Sequence, residues 1–347
     1  MRTIIPFVVF AVLCGSLSQQ AWAQDQARSQ KQTSTADLLK LAAQGNVSAE
    51  NYLGWKYGFG KEDTKQDYAE AAKWWGKAAE QGDAESQYYL AELYIRGNGV
   101  KQDFATAAKL SQMAAEQGFA PAEAVFASFY DGSMGFPKNY PEALKWYQKA
   151  AAQNDPSAMG RLGYMYAAGL GVQKDNDQAF NWYQKAAEKG YAEAECNLAN
   201  FYEHGVGNVP QNYPEAFKWY KMAAEKDYVL GEFKLANLYA TGQGVSQDLT
   251  EAAKWYQKAA DKGHWNPYSL NAMGRLGVLY DKGLGVKQDY QEALFWLNES
   301  NPVAQIMDKE AASAELSAQD DARKHLTPEQ ISDVIKREKD WKPAPPH

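Results

Sequence analysis

The chain is short of the residues that most catalytic and metal centres use. Its 347 residues include two cysteines and four histidines. Two thiols cannot supply a disulfide framework, and four scattered histidines leave little material for a metal site. There is no basic excess either: 36 Lys and Arg stand against 43 Asp and Glu, a formal charge of −7. Neutralising phosphates needs positive charge, so neither nucleic acid nor an anionic membrane surface is an expected partner. No apolar run approaches the ~18 residues of a membrane span, which excludes insertion after export. What the chain does have is 45% hydrophobic and 13% aromatic residues, the composition of a packed protein.

Residues 1–23 read as a secretory signal peptide. Arg2 is the short positive region, Ile4 to Leu13 the apolar stretch, and Ala21-Trp22-Ala23 the small-residue site with cleavage before Gln24. Leu13 stands where a lipid-attachment motif at Cys14 needs a small residue, so no lipid anchor is expected. The mature chain is therefore expected to be periplasmic or secreted, with Cys196 as its only thiol. Glu193 and Glu195 beside that thiol raise its pKa, which fits a small half-buried helix residue better than a nucleophile.

The dominant signal is repetition. Tryptophan or a substitute recurs at Trp74, Leu110, Trp146, Trp182, Trp219, Trp255 and Trp296, mostly 36 residues apart. Tyrosine recurs upstream at Tyr57, Tyr94, Tyr130, Tyr166, Tyr202, Tyr239 and Tyr280. A period of that length marks stacked units, because one such unit cannot bury its own apolar face. Each unit reads as two helices. In the second, Ala143, Tyr147 and Ala150 share a face at helical spacing, as do Ala179, Tyr183, Ala186 and Ala216, Tyr220, Ala223. In the first, a Leu-(Gly/Ala) pair recurs, with Gly54, Gly163 and Gly277 at the small position, where helices are expected to cross. Gly-x-Gly-Val separates the two helices, and Gly82, Gly118, Gly190 and Gly263 end the second.

The motif Leu-Gly-x-x-Tyr-x-x-Gly-x-Gly-Val, followed by Asp-Tyr-x-x-Ala-x-x-Trp-Tyr-x-x-Ala-Ala-x-x-Gly, resembles the Sel1-like repeat, a tetratricopeptide-like class. The resemblance covers residues 46–300 in seven units. It implies an all-α, right-handed α/α superhelical solenoid acting as an adaptor for proteins or peptides, with exported bacterial members serving envelope functions or host contact. A cysteine-rich branch of that family, linked to β-lactams and cell-wall fragments, staples each repeat with a disulfide. This chain has no such cysteine pair, so a cell-wall or β-lactam hydrolase is the weaker alternative.

The domain plan is then a signal peptide (1–23), a flexible linker (24–35), the repeats (36–300), C-terminal capping helices (301–341) and a disordered tail (342–347). Thr35 to Ala43 reads as a helix covering the first unit. Thr327-Pro328-Glu329-Gln330 reads as a capping box with proline at the first helical position.

No glycine loop fits a nucleotide-binding fingerprint, no strands are apparent, and no histidine has a metal or catalytic spacing. No cofactor, metal or catalytic residue is therefore expected. Binding falls to the first helices, whose variable positions line the concave groove in tetratricopeptide-like units. Register from the Leu-(Gly/Ala) pair places Asn51, Trp55, Tyr88, Glu92, Ser128, Tyr164, Asn200, Glu203, Phe233, Asn237 and Val278 there. Trp55, Tyr88 and Tyr164 suit interface anchors, and Asn200 and Asn237 suit the backbone of an extended peptide. A second candidate is an insertion in the seventh unit. Gly263 to Leu276 spans 13 residues against eight from Gly82 to Leu90, and His264, Trp265 and Tyr268 are expected in a loop there.

Overall fold

The computed structural model describes residues 34–61, 64–264, 266–300 and 309–343. The signal peptide, Cys14, Trp265 and the last four residues lie outside that set. The described residues form 17 α-helices and no strand. They fall into two compact units, residues 1–191 and 192–347.

The first unit holds α1 (Thr35–Ala42), α2 (Val47–Phe59), α3 (Tyr68–Glu80), α4 (Ala84–Arg96), α5 (Phe104–Glu116), α6 (Ala120–Asp131), α7 (Tyr140–Ala152), α8 (Pro156–Ala168) and α9 (Asn176–Glu188). The second holds α10 (Ala192–His204), α11 (Tyr213–Glu225), α12 (Val229–Thr241), α13 (Leu249–Ala260), α14 (Pro267–Lys282), α15 (Tyr290–Ser300), α16 (Lys309–Lys324) and α17 (Pro328–Asp340). Seven hairpins, from α2–α3 to α14–α15, make up the repeats. Packing is closest within a hairpin, and the second helix then packs on the first helix of the next hairpin in the same unit.

The loop inside five of the seven hairpins is closed by a glutamine followed by a capping Asp or Asn; Lys138 and Lys174 stand at the glutamine position in the other two. The Gln66, Gln102, Gln211, Gln247 and Gln288 amides each donate to a carbonyl near the end of the first helix, at 2.7–2.9 Å. The next residue caps the second helix. Asp67, Asp103, Asp175 and Asp248 each accept from two backbone N–H groups, and Asn139 and Asn212 from one. Each cap contributes about 1 kcal/mol. The cap residue's own N–H donates to the carbonyl of the recurring tyrosine, from Tyr57 to Tyr280.

The glycines divide the work. The second of Gly-x-Gly rests on the preceding repeat: a Cβ on Gly99 would stand 2.3 Å from the Tyr68 carbonyl carbon, at φ +68°. The small position in the first helix lies under a ring of the second. A Cβ on Gly54 would meet Trp75 at 2.4 Å, and one on Gly163 would meet Tyr183 at 2.7 Å. At the end of the second helix, Asn154 and Asp227 take the left-handed conformation (φ 68° and 62°) that glycine takes elsewhere. Short polar side chains tolerate it by local hydrogen bonding.

The core is alanine and ring. Tyr147 and Tyr220 of the second helices are 1% exposed, among fully buried alanines such as Ala143 and Ala223. The recurring first-helix tyrosines are less deeply placed: Tyr94 and Tyr166 are half-buried. At the N-terminal end, Leu38 and Ala42 of α1 pack with Tyr52, Leu53 and Trp74. At the other end, α16 packs on α14 and α15, and α17 on α15. Thr327 and Gln330 form the reciprocal capping box. Trp341 then sits edge-on to Phe295 and Trp296, both at 5.9 Å, and Pro343 lies against Gly263.

Candidate interaction face on the first helices

In the first unit, α2 and α4 share a strip of rings and carboxylates. Trp55 stacks on Tyr52 at 5.9 Å and leans on Phe59 at 5.6 Å. Phe59 meets the edge of Tyr89 at 5.8 Å, and Tyr89 stacks on Trp75 at 4.8 Å. Phe59 is 45% exposed, so the strip is open to solvent. Asn51 donates to Asp83 (2.9 Å) and Glu85 (2.8 Å), tying α2 to the start of α4.

Two carboxyls flank Tyr89. Burial pushes Glu85 up to about 7, with the Asn51 hydrogen bond opposing and Asp83 adding to it. Burial also pushes Glu92 up to about 7, opposed by Arg96, whose Nε lies 3.7 Å away. Neither Glu92 oxygen has a hydrogen-bond partner. Glu92 is the only carboxylate at its register among the seven repeats, the others being Trp55, Ser128, Tyr164, Asn200, Asn237 and Val278.

The placement of the other candidates is mixed. Tyr88 is 7% exposed, packed on Tyr89 and Phe119, so it belongs to the core and not to an open groove. Its neighbour Tyr89 reaches the strip instead. Ser128 is buried and donates to the Val125 carbonyl at 2.6 Å. Tyr164 is 36% exposed, as its register predicts.

In the second unit the polar candidates are engaged by tyrosines that reach through from the second helices. The Tyr220 hydroxyl donates to Glu203 at 2.6 Å and is also hydrogen-bonded by Asn200. Lys234 of α12 donates to both Glu203 oxygens, at 3.2 and 3.0 Å. Burial alone would raise Glu203, but these hydrogen bonds and charges outweigh it and hold its carboxyl below the usual range. The Tyr256 hydroxyl takes the Asn237 Oδ1 at 2.6 Å, so that oxygen is not open to a peptide. In the first unit Tyr147 donates to Asp131 at 2.6 Å in the same way. Val278 packs on the core.

The seventh-repeat insertion is divided between loop and helix: His264 lies in the turn before α14 and Tyr268 in the helix itself. Asn266 caps α14, and part of the insertion lengthens that helix to 16 residues where other first helices have 12 or 13. Tyr268 lies 6.1 Å from Phe233. His264 contacts Glu299 (Nε2 to Oε2, 2.7 Å) and sits edge-on to Trp341. These contacts tie the turn before α14 to Glu299 of α15 and to Trp341. Phe59, Tyr89 and Glu85 were not singled out from register. The signal for Phe59 was a bulky ring one residue before a helix-ending glycine, where solvation alone asks for none.

Cys196 is 1% exposed, more deeply buried than expected, and burial pushes its thiol well up. Among the described residues no group of three or more His, Cys, Asp or Glu is placed to hold a metal. No described helix is long and apolar enough to cross a membrane.

The hairpins coincide with the matches of a family model, the Sel1 repeat. It matches seven times, at residues 47–83, 84–119, 124–155, 156–191, 192–228, 229–264 and 270–300. The chain belongs to the Sel1 repeat family. A solved Sel1 repeat protein from Oxalobacter formigenes is 31% identical, covering 73% of this chain and 96% of that one, with a TM-score of 0.59. A protective antigen present in uropathogenic Escherichia coli strains is 24% identical, covering 93% of both chains, with a TM-score of 0.40. An immunity protein from Pseudomonas aeruginosa is 22% identical over 61% of this chain and 80% of that one, with a TM-score of 0.45. Sel1 repeats typically mediate protein interactions, and the strip on α2 and α4 carries the exposed ring of Phe59 beside half-buried Trp55 and Tyr89.

Proposed function

We propose that the protein is a non-catalytic adaptor that binds a polypeptide along its first-helix face, acting in the periplasm or outside the cell after cleavage before Gln24. The observation that carries this is the strip of Trp55, Phe59 and Tyr89 between Glu85 and Glu92. Rings with low conformational entropy, half-buried and rimmed by polar groups, are the usual anchors of protein interfaces. The formal charge of −7 adds a second element. A partner patch with basic residues is favoured, and its affinity should weaken as salt rises.

The test is crosslinking in cells that export the protein, comparing wild type with Phe59→Ala and Tyr164→Ala. Both rings are at the surface, so the variants should fold. Loss of the same crosslinked partner in either variant, with recovery unchanged in Lys149→Ala on a second helix, supports the reading. Equal recovery from all four proteins contradicts it. N-terminal sequencing of the exported chain should begin at Gln24, and an intact Met1 contradicts the export route.

A further inference from the structure

A polar pair recurs inside the repeats, joining the first helix to the end of the second. Gln81 donates to Glu50 at 2.6 Å, Gln117 to Gln87 at 2.9 Å, and Gln153 to Glu123 at 2.9 Å. In the second unit Lys226 pairs with Glu195, and Lys258 with Glu232 at 3.3 Å. The first-helix member is buried in all five cases. Its register lies three residues before the Leu of the Leu-(Gly/Ala) pair, and the residue that answers it stands at or near the end of the second helix.

The fourth and seventh repeats break the pair, with Met159 and Met273 at the first-helix position, and only in the fourth is the answering position among the described residues. There Lys189 caps α9 where the answering residue belongs. The Lys189 ammonium has no partner among the described residues. A cleft of about 600 Å³ opens at this place, lined by Met159, Trp182, Lys185, Lys189, Gln148 and Asn154. Volumes of about 300–1,000 Å³ are usual for small-molecule sites.

We infer that this cleft binds a small organic carboxylate with an apolar body. Five other repeats fill the corresponding place with a polar side chain of the protein itself, four of them with a carboxylate. Here methionine supplies an adaptable apolar floor, and the indole of Trp182 supplies a wall. Lys189 is the cation left over from the pair. Lys185 lies 4.4 Å from the Trp182 ring centroid, which adds a second positive charge at the same wall. Glu188 also lines the cleft, but its Oε1 is held by Gln184 at 2.9 Å. Asn154, on a left-handed turn, also lines the cleft, and its side-chain N–H can donate to a carboxylate oxygen. The incoming carboxylate thus takes the place of the missing glutamate, and its apolar body takes the space that Met159 and Trp182 leave open. This site lies apart from the α2–α4 strip and does not depend on it.

The experiment uses hydrocinnamate as the probe and its amide, hydrocinnamamide, as the uncharged control, titrated into the full mature protein and followed by NMR. The acid should shift resonances of Met159 and the Trp182 indole and bind at least about tenfold tighter than the amide, a difference of about 1.4 kcal/mol. Met159→Glu introduces the residue that four of the other repeats carry and should fold normally by thermal melting. Its own carboxylate should occupy Lys189 and reduce probe affinity about tenfold or more. Met159→Leu, which keeps the floor apolar, should bind within about twofold of wild type, and Lys189→Gln should lose the preference for acid over amide. Equal binding of acid and amide by wild type overturns the inference, as does undiminished binding by Met159→Glu. Absence of any shift at these residues overturns it too.

Discussion

Glu92 is a carboxyl held where a carboxylate is costly. Both oxygens are out of solvent and without a hydrogen bond, and the Arg96 Nε at 3.7 Å is a loose partner. Its folded pKa of about 7 lies above the ordinary 4.5, so folding takes up a proton in that window. Stability from this group is therefore greatest below pH 4.5 and falls as pH rises toward 7, with the full penalty present above it. Glu92→Gln should raise stability at pH 8 by about 1–3 kcal/mol and leave it nearly unchanged at pH 4. Urea melts at both pH values check this, and an equal effect at the two would refute the buried-carboxylate account. The same scale shows what register could and could not reveal. Counting from Leu90 put Tyr88 in the groove, yet it is Tyr89 that meets Phe59. Helical register fixes a direction to within one residue, and adjacent tyrosines differ by about 100° around the axis. Which of two bulky rings packs inward is decided by Phe119, which supplies Tyr88 with a neighbour to bury against.

The hairpin is the element that sequence describes best, because its determinants are local. Glycine punctuation, Asp or Asn caps and the alanine face all lie within one period and repeat seven times, so each copy corroborates the others. The insertion before α14 was read only in part, with Tyr268 helical and His264 in the turn, for the same reason. Asn266-Pro267 is a cap and first-turn signal, but the length excess drew attention to a loop and away from an added turn. The two glycines of Gly-x-Gly should respond differently. Gly97 ends a helix at φ +70°, and its added Cβ would find Gln102 no nearer than 3.3 Å. Gly99 combines φ +68° with backbone of Tyr68 at 2.3 Å, so the stack itself must shift. Gly97→Ala should cost about 1–2 kcal/mol and Gly99→Ala clearly more, since strain and overpacking add. At the other turn, Asn154→Gly should be neutral or stabilising by less than about 1 kcal/mol, because asparagine already tolerates the left-handed region. Denaturant midpoints for the three variants decide the order, and Gly99→Ala no worse than Gly97→Ala would show that the loops do not bear on one another.

At the scale of the whole chain, stability in a repeat protein is close to a sum of units and their nearest-neighbour contacts. The C-terminal helices supply the last of those contacts: α16 and α17 cover Leu294, Phe295 and Trp296, all 3% exposed or less. Ending the chain after Ser300 should therefore speed amide exchange in α14 and α15 while leaving α2 to α5 at wild-type rates, and uniform acceleration would contradict nearest-neighbour coupling. The fold class was legible because periodicity is a whole-chain property carried by dozens of residues. The proposed binding face was legible only in part. Trp55, Glu92 and Tyr164 stand out by being unlike their counterparts, whereas Asn200 and Asn237 gave no sign that Tyr220 and Tyr256 reach them from another helix. Long-range partners of that kind leave no trace in a local pattern. The central claim is that the first helices carry the partner, and amide exchange of the complex with its crosslinked partner tests it most directly. Protection should fall on residues 51–61 and 85–96, and it should diminish in Phe59→Ala. Protection confined to the second helices, with 51–61 and 85–96 unchanged, would contradict the account.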